Sequence, residues 1–159
     1  MFSFFKKKKN SGLKAPIDGK CIDIESIEDE VFSKKMMGDG VAIDSTGDIL
    51  VAPADGKITF IAETKHAFSM TMDNGMELLI HCGLDTVNFK GEGFEVLVEL
   101  EKRVSCGTPI IKVDRKFFEG KKVSLVTPMV ILNYQEYKLS PCNLNLDSKA
   151  GKTDVLKYE

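Results

Sequence analysis

Short β-prone runs separated by turn residues dominate this sequence from residue 13 onward. Val, Ile, Leu and Met form the runs, and Gly, Asp, Asn and Pro stand between them. No segment has the long 3.6-residue apolar period of an amphipathic helix, although residues 28–34 and 115–119 predict short helical turns. The pattern predicts an all-β sandwich or flattened barrel. The predicted strands are residues 40–43, 49–52, 57–61, 68–72, 76–80, 96–98, 110–113 and 129–132.

The composition of this chain of 159 residues suits one folded domain and argues against several classes of protein. Apolar residues make up 43%, so an ordered core is expected, and the net charge of −2 argues against a nucleic-acid partner. The four cysteines include no Cys-x-x-Cys pair, so we interpret them as reduced thiols. No apolar run approaches the roughly 20 residues of a membrane span, and no secretory signal is present, so a cytoplasmic location is expected.

The N-terminal residues differ in character from the rest of the chain. Three phenylalanines among residues 2–5 are followed by four lysines at residues 6–9. Such a segment either stays solvated or contacts an anionic membrane surface, where each lysine adds about 1 kcal/mol. We therefore divide the chain into a basic-aromatic tail, residues 1–12, and one domain, residues 13–159.

Two nearly identical segments indicate an internal duplication. Ala-Pro-Ile-Asp-Gly-Lys at residues 15–20 returns as Ala-Pro-Ala-Asp-Gly-Lys at residues 52–57, and residues 38–41 have a shorter echo at residues 91–94. Pro fixes φ, and Asp-Gly favours a tight reversal into the following strand. Recurrent turn chemistry is one explanation. We favour the other, a β unit that is duplicated and folded on itself.

The two histidines flank a predicted hairpin. Its arms are residues 68–72 and 76–80, and the Asn-Gly pair between them is a strong hairpin signal. A two-residue loop puts Phe68 opposite His81, so that His66 lies on the same face as His81. The two imidazoles are then diagonal neighbours with Cβ atoms roughly 5–8 Å apart. A three-residue loop would break this parity unless a bulge intervened.

Two adjacent imidazoles suit phosphoryl transfer. A neutral imidazole has a free nitrogen that can attack phosphorus, and its neighbour can donate a hydrogen bond to the phosphoryl oxygens. Thr64 shares the face of His66 and can hold its ring in one tautomer, while Gly83 leaves space beside His81. Zinc is the rival use, but a structural zinc needs four protein ligands and a catalytic zinc three. No Walker motif or serine-hydrolase elbow occurs.

Six segments in one order extend these motifs along the chain: residues 36–43, 51–56, 64–69, 77–87, 90–94 and 127–133. Together they resemble the glucose-family enzyme IIA of the bacterial phosphotransferase system. The resemblance covers about residues 15–157. It implies an antiparallel β-sandwich or barrel-sandwich hybrid with a duplicated motif.

The resemblance also implies roles for the site residues. His81 would accept the phosphoryl group through Nε2, and His66 would contact this group and support its onward transfer. Thr64 would hydrogen-bond the His66 ring, and the Gly83 carbonyl would orient the His81 ring. The donor would be the phosphocarrier protein HPr, and the acceptor a IIB domain that phosphorylates a sugar during import. No intrinsic cofactor is expected, but relatives also bind regulatory proteins, in one complex through a shared zinc that His66 and His81 would hold here.

A shallow apolar depression around the histidines would let partners approach closely enough for transfer. The resemblance assigns it five side chains: Val31, Phe32, Met36, Met37 and Val87. Asp29 and Asp85 would add negative charge at its edge and steer a basic partner. Packing in the core is the alternative to docking for these apolar side chains, Val87 included. For Phe32, the charged neighbours in the sequence predict a position at the surface.

Two other functions occur on folds of this class. A biotinyl or lipoyl carrier needs a modified lysine between methionines in a tight hairpin, and Lys-Lys-Met-Met at residues 34–37 is not that pattern. A zinc peptidase on a duplicated β fold would need more ligands than two histidines supply. The phosphoryl relay is therefore the function that the sequence predicts.

Overall fold

The computed structural model describes residues 12–159 and shows a sandwich of short antiparallel strands, which confirms the predicted fold class. Two short helices are present in this range, α1 (Glu30–Ser33) and α2 (Arg115–Phe118), both within the predicted helical turns. Single 3₁₀ turns occupy Ile24–Ser26, Thr86–Phe89 and Tyr134–Glu136. The described strands are β1 Gly12–Lys14, β2 Gly19–Asp23, β3 Asp39–Ser45, β4 Ile49–Val51, β5 Gly56–Ile61, β6 Ala67–Thr71, β7 Glu77–His81, β8 Phe94–Val96, β9 Arg103–Val104, β10 Pro109–Val113, β11 Thr127–Ile131, β12 Leu139–Pro141, β13 Asp147–Ser148 and β14 Asp154–Tyr158.

One large sheet and two small sheets share the core. The large sheet has the strand order β13-β2-β3-β11-β7-β6-β5-β9, and the small sheets have the orders β4-β10-β8 and β1-β14-β12. One buried cluster contains Met70 of the large sheet together with Ile110 and Leu13 of the small sheets. The small sheets therefore close over one face of the large sheet. A second cluster, which includes Phe32, Ala67 and Leu79, covers the other face beneath α1.

The large sheet is symmetrical about its central pair, β11 and β7. Read from its two edges, it runs β13-β2-β3-β11 and β9-β5-β6-β7. The pairing registers agree as well, because each strand that follows an Asp-Gly turn begins opposite the edge strand in the same way. Gly19 of β2 pairs with Ser148 of β13, and Gly56 of β5 pairs with Val104 of β9. This repetition supports the predicted duplication. The shorter echo does not follow it, since residues 38–41 lead into β3 and residues 91–94 into β8 of a small sheet.

The two Ala-Pro-x-Asp-Gly turns interlock through reciprocal backbone hydrogen bonds. Lys14 N donates to Pro53 O at 3.0 Å, and Val51 N donates to Pro16 O at 2.7 Å. Each donor directly precedes the alanine of its own turn, so each turn binds the other in the same way. The repeated sequence thus joins the two halves of the sandwich.

The aspartate of each turn also accepts a hydrogen bond from a loop farther along the chain. Asp18 Oδ1 accepts the backbone N–H of Ala150 at 2.8 Å, and Asp55 Oδ1 accepts that of Cys106 at 2.7 Å. These loops follow β13 and β9, the two edge strands of the large sheet. The aspartates therefore fasten both edges by equivalent contacts.

Two predicted boundaries change in the structure. The strand predicted at residues 96–98 is β8, which ends at Val96, because its ladder with β10 covers Phe94–Val96. Gly12, which we assigned to the tail, is paired with Lys157 and begins β1. The remaining tail, residues 1–11, lies outside the described residues. Among residues 12–159, no helix is long and apolar enough to cross a membrane.

The close approach of β3 and β11 predicts a large effect of one added methyl group. At Gly40, a Cβ would overlap the carbonyl oxygen of Met129 and lie 2.9 Å from Cα of Val130. We expect Gly40→Ala to lower the free energy of unfolding by about 2–3 kcal/mol, because backbone atoms cannot move aside cheaply. Urea denaturation measures this change.

Gly75→Ala is the matched control for this substitution. Nothing lies within 4 Å of its Cβ position, and only its positive φ of 92° is unfavourable. We expect a loss of about 1 kcal/mol for the control. Equal losses for the two variants would show that β3 and β11 separate easily at Gly40.

Candidate functional site

The two histidine rings meet at the C-terminal end of β7. Their centroids are 4.6 Å apart, and the ring planes are inclined by 82°. His81 is the last residue of β7 and is half-buried, whereas His66 directly precedes β6 and is only 6% exposed. One ring is therefore open to an approaching group, and the other lies beside it and deeper.

The hairpin that carries the histidines has a register that differs from the predicted one. Met72 N donates to Met76 O at 2.9 Å, which leaves a three-residue loop at residues 73–75. Ala67 is consequently opposite His81, one residue before the position that a two-residue loop predicts. The predicted register is wrong. A three-residue loop with a glycine at positive φ is the competing solution for an Asn-Gly sequence.

The rings still meet because His66 lies in the turn between β5 and β6, where strand alternation does not apply. Lys65 has a left-handed φ of 61°, and its N–H donates to Ala62 O at 2.8 Å. Ala62 N in turn donates to Ala67 O at 3.0 Å and closes the turn. The predicted proximity is confirmed, but this turn, and not a shared strand face, produces it.

A backbone carbonyl fixes the tautomer of His81. Its Nδ1 lies 2.8 Å from the carbonyl oxygen of Gly83. Since a carbonyl oxygen only accepts hydrogen bonds, Nδ1 must carry the proton. In the neutral ring, Nε2 then keeps its lone pair, so His81 offers a nucleophilic nitrogen at that position.

His66 is held by a side-chain hydroxyl. Thr64 Oγ1 lies 2.7 Å from His66 Nδ1, and a hydroxyl can either donate or accept in such a contact. If it donates, Nε2 of His66 carries the ring proton and can donate it to a group bound on His81. The ring of Phe94, with its centroid 6.5 Å from that of His66, packs on the core side.

Burial lowers the pKa of both histidines below their ordinary value. For His66, the neighbouring His81 lowers the pKa further, and a hydrogen bond with the backbone of Thr64 opposes this shift. For His81, burial is again the largest cause, while the Gly83 carbonyl and the negative charges of two aspartates, Asp29 and Asp85, raise the pKa. Both rings are therefore mainly neutral at pH 7, the state in which Nε2 of His81 is available.

Exposed apolar side chains lie on the segments next to His81. Phe32 of α1 contacts the His81 ring, and the 3₁₀ turn Thr86–Phe89 begins three residues after Gly83. Val31 of α1 is 42% exposed and Val87 of the 3₁₀ turn is 48% exposed. Met36 and Met37, which follow α1, are 70% and 44% exposed. The alternative of core packing is therefore excluded for these four.

Phe32 is an exception among the predicted docking residues. It is only 4% exposed, and its ring centroid lies 5.1 Å from that of His81. The expectation that it lies at the surface is wrong, because α1 turns this aromatic ring onto the sheet while Glu30 and Lys34 form an ion pair in solvent. Phe32 thus packs against the His81 ring from a buried position.

Two residues at the site were not assigned a role from the sequence. Phe94 is 7% exposed behind His66, and Thr86 is fully buried with Oγ1 donating to Cys82 O at 2.6 Å. A phenylalanine after Gly-Glu-Gly was a visible signal for the first. The signal for Thr86 was weak, because threonine is common in polar turns and its burial arises from tertiary packing.

Comparison with known proteins gives the family. The model of the family described as phosphoenolpyruvate-dependent sugar phosphotransferase system, EIIA 1, matches residues 11–137. The chain belongs to this family. It is an EIIA phosphotransferase component, which takes a phosphoryl group from HPr and passes it to a IIB domain for sugar uptake.

Individual relatives of this EIIA chain agree with the family match. Two are named PTS system glucose-specific EIIA component: that of Buchnera aphidicola is 41% identical over 99% of this chain and 96% of its own length. That of Bacillus anthracis is 38% identical over 99% of this chain and 95% of its own. The solved structure of glucose permease IIA from Mycoplasma capricolum has a TM-score of 0.82 at 34% identity, covering 91% of this chain and 93% of that one. The predicted family and β-sandwich are thus confirmed.

The charges around His81 predict a change in its pKa. The carboxylate of Asp85 raises this pKa, so we expect Asp85→Asn to lower it, because the protonated ring loses a favourable neighbouring charge. Titration of the ring resonances by NMR measures the shift. Asp73→Asn is the control, since that carboxylate is exposed at the hairpin loop and pairs with Arg103 at 3.0 Å. A raised pKa in Asp85→Asn would contradict the expected sign.

Proposed function

We propose that His81 is the phosphoryl acceptor of this EIIA domain and that His66 stabilises the group while it is bound. The observation that carries the proposal is the hydrogen bond of 2.8 Å from His81 Nδ1 to Gly83 O, which leaves Nε2 free to attack. The greater exposure of His81 also supports it, because His66 is only 6% exposed. A bulky phospho-protein reaches the open ring first.

The chemistry of acceptance follows from the tautomer. Nε2 of His81 attacks the phosphorus of phospho-HPr, the bond between phosphorus and the donor breaks, and its electron pair leaves with the donor. The product is a phosphoramidate on Nε2. In the second transfer, that bond breaks, its electron pair returns to Nε2, and the IIB domain takes the phosphoryl group.

His66 and Thr64 stabilise the bound phosphoryl group in this scheme. With the Thr64 hydroxyl donating to Nδ1, Nε2–H of His66 faces the phosphoryl oxygens on His81 and donates to them. Because the burial of His66 lowers its pKa, it donates this hydrogen bond as a neutral ring and does not trap the group by a full charge. A weaker hold suits a carrier that must release its cargo.

The negative charges of Asp29 and Asp85 act on phosphoryl transfer in two ways. Their charges act on the His81 ring, so they also repel a phosphoryl dianion bound there and favour its departure. The same charges attract a basic partner surface and steer its approach. The carboxylates therefore support rapid exchange more than tight storage.

The proposed docking face consists of Val31, Met36, Met37 and Val87 around the open side of His81. Their exposure and the packing of Phe32 against His81 favour a flat apolar contact without a deep pocket. Such a contact lets the two reacting groups come within bonding distance. A transient complex of this kind buries a modest area.

A regulatory protein that shares a zinc ion with this domain is a further proposed partner. Among residues 12–159 no cluster of three or more His, Cys, Asp or Glu side chains could hold a metal. His66 and His81 could supply two of the four ligands of a structural zinc, so a zinc there would need ligands from a regulatory protein. Zinc retained by such a complex, and by neither protein alone, would be the sign of it.

The sugar and the location complete the proposal. Glucose is the proposed sugar, because the relatives are named glucose-specific. The cytoplasm is the proposed location. The four lysines at residues 6–9 favour contact with an anionic membrane surface on the cytoplasmic side. A reconstituted system that phosphorylates other sugars and leaves glucose unchanged would contradict the first point.

Two histidine variants separate acceptance from onward transfer. We expect His81→Ala to lose all label from radioactive phospho-HPr, because His66, the other histidine of the chain, is only 6% exposed. His66→Gln should still be labelled, but label should reach glucose through IIB at least about tenfold more slowly, since a glutamine amide replaces the ring contact imperfectly. Normal labelling of His81→Ala would refute the acceptor assignment.

A charge on the docking face tests that surface separately. We expect Met36→Asp to weaken binding of HPr about tenfold, which corresponds to about 1.4 kcal/mol, and to leave the His81 tautomer unchanged. Isothermal titration calorimetry measures the affinity. Leu146→Asp is the matched control, because Leu146 is 58% exposed and precedes β13, at the far edge of the large sheet. Equal weakening by both variants would exclude a localised docking face.

A further inference from the structure

The carbonyl that orients His81 lies in a turn and not in the sheet. Gly83 follows the end of β7 by two residues and has a left-handed φ of 86°. Its N–H donates to Val126 O at 2.9 Å, and the next N–H, that of Leu84, donates to Ser124 O at 2.9 Å. The Leu84 N–H shares one planar peptide with the Gly83 carbonyl, so its bond to Ser124 O also orients that carbonyl. The peptide that precedes Gly83 is held at its N–H by Val126 O, and its own carbonyl is that of Cys82.

Thr86 holds the carbonyl of Cys82 and thereby the peptide that precedes Gly83. It is fully buried, and its Oγ1 donates to Cys82 O at 2.6 Å, which closes the turn that contains Gly83. Its methyl group occupies the space beside Gly83, where an added Cβ would overlap it. One side chain thus fixes the turn by a hydrogen bond and fills the room in which the glycine could rotate.

We infer that Thr86 is a positioning residue for the acceptor: by anchoring the 82–86 turn it aims the Gly83 carbonyl at Nδ1 of His81 and so keeps Nε2 unprotonated. The inference goes beyond the proposed function and rests on it for its effect on phosphoryl transfer. The effect of Thr86 on the tautomer of His81 does not depend on the proposed function. Without the Thr86 contacts, the Cys82–Gly83 peptide loses one of its two hydrogen bonds and the space beside Gly83 is less constrained, so φ of Gly83 can change and its carbonyl can move away from Nδ1. A neutral imidazole that loses its acceptor redistributes its proton between the two nitrogens.

The test compares two substitutions in the full-length protein. Thr86→Val keeps the shape of the side chain and removes the donor, whereas Thr86→Ser keeps the donor. In ¹⁵N NMR of the histidine rings at neutral pH, we expect the Nε2–H tautomer of His81 to rise at least about threefold in Thr86→Val and to stay at the parent level in Thr86→Ser. Phosphoryl uptake from phospho-HPr should fall about tenfold in Thr86→Val alone.

Thr127→Val is the matched control. Thr127 of β11 is also fully buried, and its Oγ1 contacts Leu125 O at 3.0 Å and Cys82 Sγ at 3.9 Å. The same exchange there removes a hydroxyl that holds no carbonyl of the 82–86 turn. A purely structural effect would appear in both valine variants. We expect the control to lose stability and to keep the His81 tautomer. A parent-like tautomer in folded Thr86→Val, or an equal change in the control, would overturn the inference.

The unaltered protein provides a second measurement that needs no variant. The hydrogen bond to Cys82 O predicts a Thr86 hydroxyl proton that exchanges slowly enough with water to be seen as a separate resonance. Fast exchange would overturn the inference, even if Thr86→Val does not fold. Because the tautomer measurement uses no phosphoryl donor, it decides the role of Thr86 independently of whether His81 proves to be the acceptor.

Discussion

The hydrogen bond from His81 Nδ1 to the Gly83 carbonyl is the contact on which the site depends. A neutral imidazole has two tautomers of similar energy, and only one of them leaves Nε2 with a lone pair. The contact of 2.8 Å selects this tautomer. It joins a strand end to the turn that follows it, so the sheet fixes the ring at one side and the turn fixes the acceptor at the other.

Burial and exposure are balanced around this contact. The rings are buried enough that the pKa of each lies below its ordinary value, which keeps them neutral at pH 7. Deeper burial would close the ring of His81 to its partners. Phe32 provides part of this balance, because it is itself buried and packs against the His81 ring, while Val31 and Met36 near it in the sequence stay exposed.

The sequence predicts the fold class because strand length, turn residues and the repeated Ala-Pro-x-Asp-Gly segment are all local signals. The hairpin register could not be predicted, since Asn-Gly fits loops of two or three residues and the choice depends on neighbouring strands. The depth of Phe32 was equally hidden, because its charged neighbours in sequence do not show what α1 packs against. Strands β9 and β13 have two residues each, too few for any periodicity, and exist only through their pairing with β5 and β2.

The symmetry of the large sheet has a functional consequence. In one half, the connection after β2 contains α1 and carries the exposed side chains Val31, Met36 and Met37. In the other half, the equivalent connection after β5 is the short turn with Thr64 and His66. Under the proposed function, the two equivalent connections of the repeated unit therefore serve different tasks: the one after β2 recognises partners, and the one after β5 supplies the chemistry.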